Sequence, residues 1–221
     1  MSNEILFLLA ALVDIIFVLI ASWQGTEWLL GTVILNLLLV GIFGAKLVSI
    51  FGFVTNAGNV FYACVFLATH FILELRGRKA ALRTIWVGVV FVFFFSALSQ
   101  FAVMFNGSGL SQMANASLAG VFSFSFRVFC ASILAYIFAQ YVNISLYEWL
   151  RDRMDGKHLW IRSNGANILA QLVDSCLFFS IAFFDLPGPL LVQAILIGWA
   201  VKTAVVLLGT PFLYLGTSKK P

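Results

Sequence analysis

Long apolar stretches, separated by short polar or Gly- and Pro-bearing segments, dominate the pattern along the chain. A helix needs about 20 apolar residues to cross the roughly 30 Å hydrocarbon core of a bilayer. Stretches of that length predict transmembrane helices over residues 4–22, 28–51, 55–75, 82–105, 119–147, 164–185 and 189–215. We therefore expect an all-α integral membrane protein, a bundle of about seven transmembrane helices with little outside the bilayer.

Composition agrees with a chain whose solvent is lipid. Hydrophobic residues make up 62% of the 221 positions and charged residues 10%, whereas ordinary soluble domains carry about 25% charged residues. The net charge is only +4, and no basic stripe interleaved with aromatic residues points to nucleic acid. The lipid bilayer is the expected partner, and no nucleic acid is expected.

Basic residues cluster in two predicted loops and in the carboxyl-terminal tail. They are Arg76, Arg78, Lys79 and Arg83 in one loop, Arg151, Arg153, Lys157 and Arg162 in the other, and Lys219 and Lys220 in the tail. Cytoplasmic loops of membrane proteins carry an excess of Lys and Arg. We therefore expect both loops and the tail, residues 216–221, to be cytoplasmic at the cell inner membrane, with the amino terminus outside.

Ionisable side chains within the apolar spans are candidate functional groups, because a charge at the bilayer centre costs about 2.5–3.5 kcal/mol on insertion scales. These residues are Asp14, Lys46, His70, Glu74, Arg127, Asp174 and Lys202. A structural role competes in each case. Glu74 and Arg127 lie near predicted span ends, where they would reach the interface, and Asp14 would be buried simply by pairing with a lysine.

The sixth span carries the clearest polar face. Asn164, Asn167, Gln171 and Asp174 follow one another at intervals of three, four and three residues, which places them on one side of a helix. Amides followed by a carboxylate suit a ligand with several hydrogen-bonding edges. The alternative is contact between helices, where such groups contribute about 0.6 kcal/mol each.

Two other spans show similar faces. The fifth has Ser125, Ser132, Tyr136, Gln140, Asn143 and Tyr147 beside Ala131, Ala135 and Ala139, and the third has Asn59, Tyr62, Phe66 and His70. We expect one cavity between the third, fifth, sixth and seventh spans, with Asp174, Gln171, Gln140 and Lys202 pointing into it. A salt bridge between Asp174 and Lys202 is expected without ligand. Polar helices that satisfy one another remain the alternative.

Motifs for catalysis are missing from the sequence. It contains no GxxxxGK[ST] phosphate loop, no HExxH zinc helix and no GxSxG elbow. Cys64, Cys130 and Cys176 all lie within apolar stretches without CxxC spacing, which favours a packing role. We expect no enzyme, no cofactor and no metal site.

Two segments, RVFCASILAYIFAQYVNISLYEWL and WIRSNGANILAQLVDSCLFFSIAFF, resemble the signature half of the queuosine-precursor transporter family, also called the VUT family. The family's positions there are filled by Arg127, Ser132, Gln140, Trp160, Gln171, Asp174 and Ser175. Upstream and in the last span, the matching residues are Asn36, Lys46, Gly52, Ala57, Gly58, Tyr62, Glu74, Gly77, Lys202 and Pro211. The resemblance covers about residues 30–215 and leaves only the first span outside.

This resemblance implies a six-helix core over 30–215, preceded by an extra transmembrane helix and loop over 1–29. It implies uptake of 7-cyano- or 7-aminomethyl-7-deazaguanine, or of queuine. The substrate-binding residues that we expect are Asp174, Gln171, Lys202, Gln140, Asn167, Arg127, Lys46, Tyr62, Glu74 and Asn143. The family usually has an Asp four residues before Glu74, where this chain has His70, so an ion role tied to that carboxylate does not carry over.

Other functions stay open at this stage. The family is distantly similar to the substrate-binding subunits of energy-coupling-factor vitamin importers, which need an ATPase partner. A vitamin-like heterocycle is then an alternative substrate, and a purely structural membrane subunit is a further alternative. A homodimer is compatible with the sequence.

Overall fold

A computed structural model describes residues 2–44, 46–108, 112–123 and 126–218. Ser125 of the predicted polar face and Lys219 and Lys220 of the predicted tail lie outside these ranges. The described residues form eight helices and one β-hairpin. In chain order they are α1 Asn3–Gln24, α2 Thr26–Phe43, β1 Leu47–Ile50, β2 Phe53–Asn56, α3 Asn59–Arg76, α4 Arg78–Met104, α5 Gln112–Phe122, α6 Phe126–Arg153, α7 Leu159–Ala182 and α8 Gly188–Ser218.

Seven of these helices, all except α5, are long and apolar enough to cross a bilayer. The prediction of an all-α membrane bundle with seven spans is therefore confirmed. Helix α3 lies at its centre and contacts α1, α2, α4, α6 and α8. Helix α4 is mostly exposed and presents large apolar side chains such as Trp86, Phe93 and Phe94 outward, as expected for a surface that faces lipid.

Small residues allow α6 and α7 to approach each other closely. Ala131, Ala135 and Ala139 of α6 and Ala166 and Ala170 of α7 are almost completely buried. Without a side chain beyond Cβ, such residues let helix backbones pack tightly in membranes. This close packing brings the polar faces predicted on these two helices together.

The predicted boundary between the second and third spans is wrong. Helix α2 ends at Phe43 rather than continuing to residue 51, and residues 47–56 form an antiparallel hairpin that pairs Leu47 with Asn56. Phe51 and Gly52 both have positive φ at its two-residue turn, which is the conformation that tight hairpins need. Lys46 consequently precedes a strand instead of lying within a membrane helix.

The predicted fifth and sixth spans also need correction. Helix α5 ends at Phe122 and α6 begins at Phe126, so that the predicted span over 119–147 is not one helix, and Arg127 lies in the first turn of α6. Helix α7 begins at Leu159 rather than at 164. Arg162 is therefore a buried helical residue and not part of a loop. Apolar residues on both sides of the α5–α6 break conceal it from a hydropathy pattern.

The bundle has two distinguishable ends. At the hairpin end, the amide of Asn3 in α1 donates to the carbonyl oxygen of Ser49 (3.0 Å), and the backbone N–H of Phe51 donates to Glu4 (2.9 Å). At the opposite end, the start of α4 meets the end of α6 through an ion pair between Arg78 and Glu148 (2.6 Å). We call this second end the basic end, because both clusters of basic residues lie there, most of them in the ends of helices rather than in the predicted loops.

Candidate functional site

A cavity of about 420 Å³ lies in the hairpin half of the bundle, between α2, α3, α4, α6, α7 and α8. Ligand pockets in proteins commonly measure about 300–1,000 Å³. Its walls are largely apolar, and the aromatic side chains among them are Phe129, Tyr136, Phe178, Phe179 and Phe183. The hairpin contributes Leu47 and Asn56. The cavity is therefore large enough for a small molecule.

Three polar side chains meet in the wall of this cavity. Lys202 Nζ of α8 lies 2.6 Å from Asp174 Oδ2 of α7, and the hydroxyl group of Tyr62 of α3 donates to Asp174 Oδ1 at 2.5 Å. All three side chains are buried from bulk solvent, yet each lines the cavity. The salt bridge expected between Asp174 and Lys202 is therefore present, and these two residues and Tyr62 are expected site residues that the structure brings together.

The Asp174 carboxylate retains capacity for further hydrogen bonds. An ionised carboxylate offers about four lone-pair sites, and Tyr62 and Lys202 occupy one on each oxygen. The Lys202 ammonium group has three N–H donors, of which Asp174 takes one. Both charged groups can therefore bind a ligand while they remain paired with each other.

Burial of this pair is expensive. Removing two charges from water costs several kcal/mol per ion, and well-packed apolar residues in their place are often equally stable. Stability alone therefore gives a weak reason for Asp174 and Lys202 to lie inside a membrane protein. An ion pair at membrane depth on a cavity wall is therefore a candidate ligand-binding site.

Toward the basic end, the next polar residues are buried amides that do not line the cavity, so the expectation that Gln171 and Gln140 point into it is wrong. Gln140 and Gln171 have no exposed surface, and Asn167 is almost as deeply buried. Within the part of the chain that is described, neither amide atom of Gln171 has a hydrogen-bond partner, nor do Gln140 Nε2 and Asn167 Oδ1. Buried polar atoms without partners are rare and call for an explanation.

A third group of polar side chains, beyond the Asp174 group and the buried amides, surrounds His70. Its fully buried ring lies 2.9 Å from Ser163 Oγ through Nδ1 and 3.0 Å from Asn143 Oδ1 through Nε2. Asn167 Nδ2 approaches the same Nδ1 at 3.4 Å. His70 therefore links α3 to both α6 and α7, and the Oδ1 atom of Asn143 is engaged in this contact.

A buried ion pair lies near the basic end of the bundle. Arg162 Nη2 lies 3.1 Å from Glu74 Oε2, and the Tyr147 hydroxyl group donates to Glu74 Oε1 at 2.9 Å. Arg162 also donates to the carbonyl oxygen of Gly156 (2.8 Å). Sequence reasoning missed this role of Arg162. The apolar run from Leu159 to residue 161 was the available signal, because it extends the helix back past Arg162.

Of the ten expected site residues, only Asp174, Lys202 and Tyr62 line the cavity. Arg127 and Lys46 also lie apart from the buried polar residues described above. Arg127 pairs with Asp185 at 2.9 Å, and its guanidinium group stacks 4.5 Å from the centroid of the Phe184 ring near the hairpin end. Lys46 is exposed before β1. Across residues 2–44, 46–108, 112–123 and 126–218, no three His, Cys, Asp or Glu side chains come close enough to hold a metal ion.

The aromatic part of the cavity wall was also absent from the expected site. Phe178 and Phe179 follow Asp174 by four and five residues on α7, about one helical turn further toward the hairpin end. Both rings and that of Phe183 contact one another. The helical spacing from Asp174 was the signal that could have identified them.

Seven apolar spans, six of which surround a cavity with a buried ion pair in its wall, define a multi-pass membrane protein. Residues 56–216 match the family described as "Putative vitamin uptake transporter". That match covers more than half of the chain, and the chain therefore belongs to this family of membrane transporters. The resemblance inferred from sequence is confirmed, whereas the division into 1–29, 30–215 and 216–221 stays a prediction.

Curated relatives carry a more specific name. A "Probable queuosine precursor transporter" of Bacillus subtilis is 29% identical over 175 residues, which cover 76% of this chain and 74% of that protein. The "Queuosine precursor transporter" of Escherichia coli is 26% identical over 147 residues, covering 66% and 63%. A Haemophilus influenzae relative with the "Probable" name is 27% identical over 149 residues, covering 65% and 58%. The chain thus spans less than two thirds of the length of the last two. No solved structure matches.

Proposed function

We propose that this chain imports 7-deazaguanine precursors of queuosine, namely 7-cyano- or 7-aminomethyl-7-deazaguanine or queuine, across the cell inner membrane. The observation that carries the proposal is the buried pair of Asp174 and Lys202 on the wall of an aromatic-lined cavity. The names of the curated relatives support the same substrate class.

The chemistry of the base matches the polar groups in the cavity. The N1–H and 2-amino groups of a deazaguanine form two parallel donors, and the two unused lone-pair sites of Asp174 can accept both. The ring carbonyl group can accept a hydrogen bond from one of the remaining N–H groups of Lys202. The neutral N1–H and 2-amino edge of the base would thus be held by charge-assisted hydrogen bonds, which are shorter and stronger than neutral ones.

The aromatic wall suits the flat ring of the same ligand. Phe129, Phe178, Phe179 and Phe183 surround the space next to Asp174. Aromatic groups favour offset or edge-to-face contacts, worth about 0.5–1.5 kcal/mol beyond the burial of their area. This wall distinguishes a planar heterocycle from a flexible polar solute of similar size.

We propose that the cavity lies in the half of the membrane that faces the outside of the cell. Cytoplasmic segments of membrane proteins are enriched in Lys and Arg, and both clusters of basic residues lie at the end opposite the hairpin. The amino terminus would then be outside and the carboxyl terminus inside. A base that enters from outside would pass the aromatic wall and meet Asp174, Lys202 and Tyr62 before it reached the buried amides.

The buried amides continue the proposed path toward the cytoplasm. Gln171, Gln140 and Asn167 lie on the basic-end side of Asp174 and contain hydrogen-bonding atoms without partners in the described structure. We assign them contacts with the base after the pair of Asp174 and Lys202 separates. Asn143 and Glu74, bonded to His70 and Arg162, would line the last part of the path. This proposal assigns Arg127 and Lys46 no contact with the base.

Uptake of radiolabelled 7-aminomethyl-7-deazaguanine tests the proposal. The host should lack both its own queuosine precursor import and every energy-coupling-factor ATPase module. We expect accumulation with the wild type and with Asp152→Asn, which changes an exposed carboxylate (77% exposed), but not with Asp174→Asn. Accumulation only after an ATPase module is added would favour a substrate-binding subunit. No accumulation under either condition would contradict the proposal.

A further inference from the structure

Asp14 is a buried carboxyl group that the proposed path does not use. It lies about halfway along α1 and is 8% exposed. Asn36 of α2, which is fully buried, donates from Nδ2 to Asp14 Oδ1 at 3.1 Å. The thiol of Cys64 in α3 adjoins the same carboxyl group. Asp14 is therefore enclosed by three helices near the middle of the membrane.

No cation neutralises this carboxyl group among the described residues. The two other acids buried within the bundle have basic partners, Asp174 with Lys202 and Glu74 with Arg162. The structural explanation considered from sequence, that Asp14 pairs with a lysine, therefore fails. An isolated carboxylate in an apolar interior is strongly disfavoured, and such groups become neutral instead.

The other ionisable residues on elements packed against α1 do not supply a charge. Most are engaged elsewhere: Tyr62 with Asp174, His70 with Ser163, Glu74 with Arg162, Arg76 with Thr26, Lys202 with Asp174 and Tyr214 with Trp160. Glu27 lies in the first turn of α2 at the basic end, and Lys46 is exposed at the hairpin end. Cys64 is the ionisable residue that adjoins Asp14.

Two oxygen atoms at this site lack partners in the described structure, Asp14 Oδ2 and Asn36 Oδ1. A proton on Oδ2 would convert it to a donor toward Asn36 Oδ1. Together with the existing N–H···O bond, this would close a cyclic acid–amide pair in which both oxygens are satisfied. A hard metal ion would need about six or more oxygen ligands, which these two residues do not provide.

We propose that Asp14 and Asn36 form a proton-binding site that couples proton entry to import, the coupling resting on the transport function proposed above. Binding forms one O–H bond on Asp14 Oδ2 and changes the charge of the site from −1 to 0. Release returns the proton to water. Asn36 directly precedes Leu37, which lines the cavity, so a change in the contact between α1 and α2 reaches the cavity wall.

Infrared spectroscopy of the purified protein tests the proton site without any substrate. At neutral pH we expect a C=O stretching band from a buried carboxylic acid that shifts in D₂O. It should be absent from Asp14→Asn, whose amide can still pair with Asn36, and retained in the exposed control Asp152→Asn. Asn36→Ala removes the acceptor and should move the band to higher frequency. A wild type without the band, or a band that persists in Asp14→Asn, overturns the site.

Proteoliposomes test the coupling. The uncharged probe is 7-cyano-7-deazaguanine, measured first as exchange without a gradient and then as accumulation under an inward proton gradient. We expect Asp14→Asn to retain exchange and to lose at least tenfold in gradient-driven accumulation. Equal accumulation by wild type and variant overturns the coupling. A wild type that exchanges no base overturns the proposed function and the coupling with it, while the infrared result separately decides the proton site.

Discussion

Replacing Asp174 by Asn should damage stability and ligand binding through two separable effects. The change leaves the Lys202 ammonium group buried, with 5% of its side chain exposed, and without its anion. Removal of one partner from a buried pair typically costs about 3–5 kcal/mol, because the remaining charge is uncompensated. The second variant Asp174→Asn/Lys202→Met has no charge at this place. We expect it to recover most of the lost stability.

Ligand binding should not recover in the double variant. Hydrogen bonds to a charged group contribute about 1.5–3 kcal/mol, which corresponds to about 10- to 150-fold in affinity. Asp174→Asn replaces one acceptor oxygen by a donor NH₂ group that opposes the N–H edge of the base. Both variants should therefore bind 7-cyano-7-deazaguanine at least tenfold more weakly than the wild type.

Thermal unfolding in detergent and equilibrium binding of the labelled base provide the two measurements, with Asp152→Asn as the control for loss of an exposed carboxylate. The combination of restored stability and lost binding is the expected signature of a ligand-binding pair. If the double variant binds the base as well as the wild type does, Asp174 and Lys202 are structural and the proposed recognition is wrong.

Three further predictions concern packing, the second ion pair and topology. Gly88→Ala would place a methyl group 2.7 Å from Leu37 Cδ1 of α2 and 2.9 Å from the Tyr136 hydroxyl oxygen of α6. Such overpacking should cost about 1–3 kcal/mol of stability in thermal unfolding, and an unchanged melting temperature would contradict these contacts of α4. Arg162→Met should destabilise the protein by about 3–5 kcal/mol because it leaves Glu74 unpaired, and Glu74→Gln in the same chain should restore most of that stability, whereas additive losses would refute the pairing. A reporter fused after α8 should be active only in the cytoplasm, and periplasmic activity would reject the proposed orientation.

Periodicity was sufficient to predict the polar face of α7. Asn164, Asn167, Gln171 and Asp174 were placed on one side of a helix by their spacing, and all four are buried in the structure. The expected pair of Asp174 and Lys202 followed from their similar depth. In a membrane such polar residues have few alternatives to facing the protein interior, so the pattern is informative.

The hairpin could not be predicted in the same way. Residues 47–56 are mostly apolar, so a hydropathy window extends the helices across them, whereas the structure shows a turn by the pairing of the two strands and the positive φ at Phe51 and Gly52. The pairing of residues that are distant in sequence could not be predicted either. Nothing in the sequence says that Arg162 meets Glu74 or that Asp14 meets Asn36, because these contacts depend on which helices are neighbours.

Calorimetric titration of the purified wild type with a series of related bases is the most direct test of the central claim, that Asp174 recognises the amidine edge of a 7-deazaguanine. We predict saturable binding of 7-cyano-7-deazaguanine and about 10- to 150-fold weaker binding of the analogue that lacks the 2-amino group, since one charge-assisted hydrogen bond is lost. In Asp174→Asn the two bases should bind with similarly low affinity. Equal binding of both bases by the wild type, or binding of a vitamin in preference to either, would contradict the account.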